Sequence, residues 1–511
     1  MSEKARTPRS PQASPAPGVV GETDIGCCRE RIALLSGDMD NDSSARIAAD
    51  LREWIREAPP AARLPATRRL VAEYAASPVT VQKALRRLVA EGLVESRPGV
   101  GTFVRAVRPA RGPDFGWQTG ALRAPRAELA RIAGPLQTAP PDVLALHAGY
   151  PGPELLPERL VRTALARAAR SAAATARPPA AGLPELRAWF ATELAEATPS
   201  GLGTASSRDV IVAPGSQSAL ASIFRALVAP GGPLLIESPT YWGAIQAARQ
   251  AGVEPVPVPS DAHGPDPVEV DRSLRETGAR AFYAQPSFAN PTGAQWSVER
   301  AEHVLDVVRA RGAFLVEDDW AHDFGIDSEA RPLAARDDAG HVVYLRSLTK
   351  SVSPALRVAA VIARGPARDR ILGDRAAESM YVSGLLQQAA LEVVSDPGWR
   401  SHRRRLRAQL RERRDLLVAA IADQAPSLAL DLVPPGGLHL WTRLPDGTDV
   451  DRLARACAAE GVWVAAGDEW FPAEPAAAYL RLAFIGPEPG RYPEAARVIE
   501  RAVRAQAVSP A

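Results

Sequence analysis

The sequence predicts two domains of different class: a small, mainly helical one near the N-terminus and a large α/β one that ends in a smaller α+β region. Three observations carry that expectation. Between about residues 44 and 105, apolar residues recur at helical spacing in short stretches and give way to a glycine-punctuated hairpin. From about residue 144 onward, apolar strand-like runs alternate with helical stretches, the pattern of a parallel sheet covered by helices. Finally, Lys4, Lys83 and Lys350 are the only lysines among 61 basic side chains, and one alone lies beyond the first hundred residues. In a chain so biased toward arginine, a lysine at position 350 points to a need for an amine. An ammonium can lose its proton and attack a carbonyl, whereas a guanidinium stays charged.

With 511 residues the chain is long enough for two or three domains with buried cores. Its 46% hydrophobic and 23% charged composition and its net charge of +2 fit an ordinary globular protein. Such a balance neither requires nor excludes nucleic acid, because a small basic module can be diluted by a large domain. Cys27, Cys28 and Cys457 have neither disulfide-framework nor metal-ligand spacing, so no metal is expected. No apolar run approaches a membrane span, and the first residues are polar and proline-rich. These features lead us to expect a cytoplasmic protein without a membrane partner. Residues 1–43 read as a disordered tail, 44–105 as the small domain, 106–143 as a linker rich in Pro, Gly, Arg and Ala, and 144–511 as the large domain. The smaller subdomain should cover about 400–511.

Within the small domain, LPATRRLVAEYAASPVTVQKALRRLVAEGLVESRPGVGTFV holds two periodic helices separated by a short turn at AASP. That spacing predicts a helix-turn-helix whose second helix, about Val79 to Glu91, presents Thr80, Gln82 and Lys83 near its N-terminus, within reach of base edges. Pro78 suits the first turn because it lacks an N–H that would be unpaired there. Two short strands joined at Gly99 and Gly101 make a wing, with Arg97 placed to follow a phosphate strand. A three-helix core without DNA fits the same pattern.

Strand ends hold the remaining candidates, since ligands of parallel α/β sheets collect at the carboxyl ends of strands. DVIVAPGSQSAL reads as strand, glycine turn and helix start, offering backbone N–H groups around Ser216 and Gln217 to an anion. PLLIESPTYWGA puts Tyr241 just past a strand, and ARAFYAQPSFANPTG ends at Asn290. AFLVEDDWAHDF ends at Asp318 and Asp319, and VVYLRSLTKSVSPALRVAAVIA carries Ser347, Lys350 and Arg357. All of these clusters should face one crevice. An amine for an aldehyde, a carboxylate for a ring nitrogen and an arginine with a helix N-terminus for a phosphate together describe a site for pyridoxal 5′-phosphate. Each cluster alone also fits a loop that binds nothing. The basic run SHRRRLRAQLRERRD, residues 401–415, reads either as the solvated face of a long helix or as a second DNA-contacting surface. GGLHLW, from Gly436, looks like the first strand of the smaller subdomain.

The stretches LPATRRLV, SPVTVQKAL and EGLVESRPGVGTFV resemble the signature of GntR-type winged helix-turn-helix regulators. On that resemblance Arg68 and Thr80 are the DNA-contacting arginine and threonine. Ala66 and Pro78 depart from the usual serine and arginine, which bears on operator preference by about 1–3 kcal/mol per base pair read. The later motifs, SLTK, EDDW, NPTG and YLRLAF, resemble fold type I aminotransferases, and the whole of about 44–505 is similar to the MocR subfamily, in which the two are fused. The resemblance implies that Lys350 forms a Schiff base with the cofactor, Asp318 pairs with the ring nitrogen, Tyr241 stacks on the ring and Asn290 bonds the phenolic oxygen. Ser216, Gln217, Ser347 and Arg357 would cradle the phosphate, and Arg481 would take the carboxylate of an amino-acid or amine effector. It further implies operator DNA as a partner and a head-to-tail homodimer. Trp320 occupies the place of a tyrosine that usually bonds the phenolic oxygen, so an altered imine pKa is expected. Arg177 stands near a tyrosine position that reaches the partner's phosphate. A working aminotransferase with a vestigial winged domain is the rival reading.

Overall fold

The computed structural model describes residues 43–59, 61–105, 117, 118, 121, 134–140, 142–486 and 488–507. The expected tail therefore lies almost wholly outside the described residues, as does most of the expected linker. Two compact units divide the chain between residues 124 and 125.

The first unit packs α1 (Ser43–Glu57), α2 (Thr67–Glu73) and α3 (Pro78–Ala90) against a hairpin of β1 (Val94–Arg97) and β2 (Gly101–Val104). Ile47, Leu51 and Ile55 on α1 meet Val81, Ala84 and Leu88 on α3, all buried, because spacings of three and four keep each set on one helical face. Ser77 caps α3 by accepting the Thr80 N–H at 3.1 Å, and Pro78 follows in the first turn. The hairpin turns through Gly99 at φ +73°, a conformation that favours glycine.

The second unit is built on eight strands: β4 (Val210–Ala213), β5 (Pro233–Ser238), β6 (Glu254–Asp261), β7 (Gly264–Pro265), β8 (Ala281–Ala284), β9 (Phe314–Asp319), β10 (Val342–Ser347) and β11 (Ala359–Ile362). Their order across the sheet is β4-β11-β10-β9-β8-β5-β6-β7. The neighbours β10/β9, β9/β8, β8/β5 and β5/β6 are parallel, and β4, β8 and β9 are buried almost throughout, as expected of a sheet covered on both faces. The expected parallel sheet is nevertheless mixed. Strand β11 runs antiparallel to both β10 and β4, because the short connection 348–358 cannot hold a crossover helix.

The smaller subdomain carries a sheet ordered β12 (His439–Arg443), β15 (Tyr479–Ala483), β14 (Ala465–Ala466), with helices Pro397–Gln424, Val450–Ala459 and Tyr492–Ala507. It also recruits the start of the unit: β3 (Leu144–Ala145) pairs in parallel with β13 (Val462–Trp463), and Leu144, Leu146 and Leu155 join its apolar core. Residues 400–511 alone therefore do not complete it.

The basic run lies on the helix Pro397–Gln424, and its arginines are not all a solvated face. Arg414 is buried and donates to Pro434 O at 2.8 Å and to Asp327. Arg411 donates to Ile326 O (2.7 Å), Arg407 to Gly325 O (3.1 Å), and Arg403 pairs with the buried Asp323 at 3.3 Å. This row of guanidinium groups grips the loop 321–329, which directly follows β9. Pro435 O holds the same loop from the other side, accepting the N–H groups of Ile326 and Asp327 at 2.9 and 2.8 Å.

Candidate cofactor site and DNA-reading unit

The carboxyl ends of β4, β5, β8, β9 and β10 open into one pocket, the place where ligands of parallel α/β sheets collect. Ser216, Gln217, Tyr241, Asn290, Asp318, Ser347, Lys350 and Arg357 all line it, as the strand-end argument expects. Arg177 does not. It is exposed and sits 6.0 Å from the Tyr381 ring, on a segment tied down by the bond from Arg375 to Ala180 O, so within one chain it stays outside the pocket.

Asp318, the last residue but one of β9, is fully enclosed. Its Oδ2 accepts the Tyr283 hydroxyl at 2.8 Å and Gln285 Nε2 at 3.0 Å, while Oδ1 is buried with no protein partner among the described residues. Burial raises its pKa to about 6 against those two hydrogen bonds. Lys350 is enclosed as well. Desolvation, followed by the nearby Arg481 charge, pushes its amine down to about 7, so close to neutrality much of it is an uncharged nucleophile.

At the phosphate end, Gly215 adopts φ +96°, and a Cβ there would lie 2.5 Å from Arg357 Nη2. Glycine is thus required for the helix Ser216–Leu227 to start against Arg357, leaving its first-turn N–H groups without intrahelical partners. The Gln217 side chain does something the sequence did not reveal. Its Nε2 donates to Gly243 O at 2.7 Å and its Oε1 accepts the Tyr241 hydroxyl at 3.1 Å, so the side chain orients that ring. Ser347 Oγ accepts the Thr349 N–H at 3.1 Å and shapes the turn before Lys350.

Arg481 is buried and is not among the side chains that line the pocket; it reaches the site through Asn290, which does. Nη1 donates to Asn290 Oδ1 (3.2 Å), Nη2 to His147 O (2.6 Å), and Nε has no partner among the described residues. Trp470 underlies the guanidinium at 4.7 Å and also donates to Asn290 Oδ1 at 3.2 Å. Burial works against this charge, and a guanidinium keeps its proton, so the site calls for an anion. Trp320, in the usual tyrosine position, spends its indole N–H on Phe288 O at 3.1 Å and turns its ring to Lys350 Nζ, 4.1 Å away.

Against known proteins, residues 142–499 match the family "Aminotransferase class I and II", and residues 43–104 match "Bacterial regulatory proteins, gntR family". The "Probable rhizopine catabolism regulatory protein MocR" of Rhizobium meliloti is 29% identical over 408 residues, covering 78% of this chain and 81% of that protein. The chain belongs to the MocR subfamily of GntR regulators. This MocR-type chain is also 30% identical over 373 residues to a 2-aminoadipate transaminase of Thermus thermophilus, covering 72% of the chain and 91% of the enzyme. Its second unit resembles the crystal structure of LysN, an alpha-aminoadipate aminotransferase of the same organism complexed with N-(5'-phosphopyridoxyl)-L-leucine. The TM-score is 0.66 at 29% identity, covering 72% and 94% of the two chains.

The cofactor of this MocR-type fold is pyridoxal phosphate, and the residues present fit it. The lone buried oxygen of Asp318 suits a ring N–H, and the Gly215 cradle beside Arg357 suits a phosphate. An acidity test follows from Asp318. The native state holds its proton more tightly than the unfolded chain, whose carboxyl titrates near pH ~4, so stability of the apo-protein falls as pH rises from there through about 6. The loss is on the order of 2–3 kcal/mol. A cationic ring nitrogen removes the Asp318 contribution, so the stability gained on adding cofactor should grow as pH rises across this window, which melting curves with and without cofactor measure.

Sequence reasoning missed Tyr283, Gln285, Tyr150, His147, His439 and Trp470. For two of them a partial signal existed, since Tyr283 and Gln285 are polar and two residues apart at the end of an apolar strand; the pairing of Ala284 with Glu317, which sets Gln285 beside Asp318, is visible only in the fold.

In the first unit, Arg68 is exposed on α2, and Gln82 and Lys83 are exposed on α3. The Thr80 hydroxyl bonds Ser77 Oγ at 2.8 Å, so it serves the cap. Arg97 pairs with Glu95 (Nε to Oε1, 2.9 Å) over the Phe103 ring at 4.7 Å, and Gly99 and Gly101 form the wing turn. Among the described residues no helix is long and apolar enough to cross a membrane.

Proposed function

We propose that this chain is a DNA-binding transcription regulator whose second unit senses pyridoxal phosphate and an amino-acid or amine effector through Lys350. The observation that carries the reading is the buried Lys350 amine sharing one pocket with the unpaired oxygen of Asp318, in a chain that also has a GntR-type unit. When bound, pyridoxal phosphate supplies an aldehyde that condenses with amines and a ring that withdraws electrons from the new bond. Lys350 Nζ would be the amine that holds it, and Asp318 Oδ1 would keep a proton on the ring nitrogen. The N–H groups of Ser216 and Gln217, with Arg357 and Ser347, hold the phosphate. Tyr241, steered by Gln217, would cover the ring, and Asn290 Nδ2 would donate to the phenolic oxygen. Arg481 fixes the effector's carboxylate, so that its amine competes with Lys350.

An effector shifts the regulator only by its different affinity for two arrangements of the protein. The chain acts as a head-to-tail homodimer in which Arg177 reaches the partner's phosphate site, and it works in the cytoplasm, where the operator is. Retardation of promoter DNA, measured with and without pyridoxal phosphate and a panel of amines, tests this reading. Retardation that ignores all of them would sink it. The Arg68→Ala substitution should weaken binding to all sequences alike and lower the slope of log affinity against log salt by about 1. Anisotropy titrations at several salt concentrations measure that slope.

A second reading, a working aminotransferase, is supported by the 30% identity to a 2-aminoadipate transaminase, together with a buried Lys350 amine in the pocket that can take and return a proton. Multiple turnovers of keto acid would support it.

A further inference from the structure

We propose that Trp320 sets the basicity of the nitrogen that Lys350 commits to the cofactor, keeping it protonated to higher pH than a tyrosine at this position would. The inference rests on the proposed attachment at Lys350. Condensation of Nζ with the aldehyde forms a carbon–nitrogen double bond and releases water, leaving a nitrogen that carries or loses a single proton.

Two features of Trp320 act on that proton in the same direction. Its ring lies 4.1 Å from Nζ, and the negative face of an indole attracts a cation, most strongly where water is excluded. Trp320 is 6% exposed, so water is largely excluded there. Its only N–H is committed to Phe288 O at 3.1 Å, so it has nothing to donate to the cofactor's phenolic oxygen. A phenolic anion served by fewer donors holds the neighbouring N–H proton more strongly. Asn290 is the remaining amide donor: its Oδ1 already accepts from Trp470 and Arg481, which fixes its NH2 end away from both.

The ring cannot easily swing away. His439 packs on it with centroids 5.7 Å apart at 31°, and Phe324 lies 6.3 Å away on the loop after β9. Phe288, which accepts its N–H, is itself wedged against Gly436, where a Cβ would fall 2.5 Å from the phenyl ring. The other charged and titratable groups that face Lys350 come from separate elements. They are Asp318 at the end of β9, Arg481 on β15, His439 on β12, Arg357 before β11, Tyr241 after β5, and Tyr150. None of them changes identity when Trp320 is replaced. His439, held neutral by burial, is the one whose surroundings would change with it.

The test is a pH titration of the visible absorbance of the full-length holo-protein, with borohydride reduction and peptide mass confirming attachment at Lys350 in each variant. The wild-type band is expected to stay in its protonated form above neutrality. Trp320→Tyr should lower the midpoint by about one pH unit or more, a tenfold change in proton affinity. Trp320→Phe should lower it by less, because a phenyl ring attracts the cation more weakly and donates nothing. The Trp320→Tyr shift should persist in a His439→Gln background. Equal midpoints in all three proteins, a wild-type midpoint below neutrality, or a shift that vanishes in the His439→Gln background would each overturn the proposal. If Trp320→Tyr fails to hold the cofactor, the comparison of Trp320→Phe with wild type decides. Absence of any adduct at Lys350 in the wild type would instead sink the attachment reading beneath it.

Discussion

Lys350→Ala protein is expected to lose all borohydride-trappable cofactor while still retarding operator DNA, because the winged unit has its own core and shares no residue with the pocket. Effector response should vanish with it. Lys350→Arg should behave the same way: the positive charge survives, but a guanidinium stays protonated and cannot attack an aldehyde. Mass spectrometry of the reduced protein and gel retardation read the two halves of this outcome independently. Retention of the adduct in either variant would show that another amine carries the cofactor.

Arg481→Gln should leave the cofactor attached and abolish recognition of amino-acid effectors. Truncating one partner of a buried, hydrogen-bonded charge pair costs about 2–5 kcal/mol, roughly 30-fold to several-thousand-fold in effector affinity. Arg481→Lys should rescue little, since one ammonium cannot supply the two-pronged contact that Nη1 and Nη2 now direct toward Asn290 and His147. Spectral titration with amino acids and with amines lacking a carboxylate separates the cases. Amines without the carboxylate should bind both proteins alike.

Much of this site was legible in the sequence because strand-end chemistry is local: the last positions of an apolar run and the few residues after it are enough to place Asp318, Asn290 and Tyr241. What the sequence concealed depends on neighbours across the fold. Tyr283 and Gln285 support Asp318 from the adjacent strand, and only the register of β8 on β9 brings them there. The direction of β11 was hidden because four apolar residues look the same read either way. The two-residue strands β3 and β13 are too short to carry a periodic signal. Charge runs mislead for a related reason. Whether an arginine is solvated or paired depends on what the fold sets opposite it, and Arg403, Arg407, Arg411 and Arg414 meet the carbonyls and carboxylates of loop 321–329. Trp320 in the tyrosine position is visible in the sequence, but the fate of its N–H is not.

That arginine row ties the small subdomain to the chromophore. The helix bearing it belongs to the subdomain, while the loop it grips begins just after the residue whose ring lies against Nζ. Rocking of that helix should therefore tug on the indole and change the colour of the holo-protein. Absorbance then becomes a gauge of domain motion, readable in solution without any attached probe.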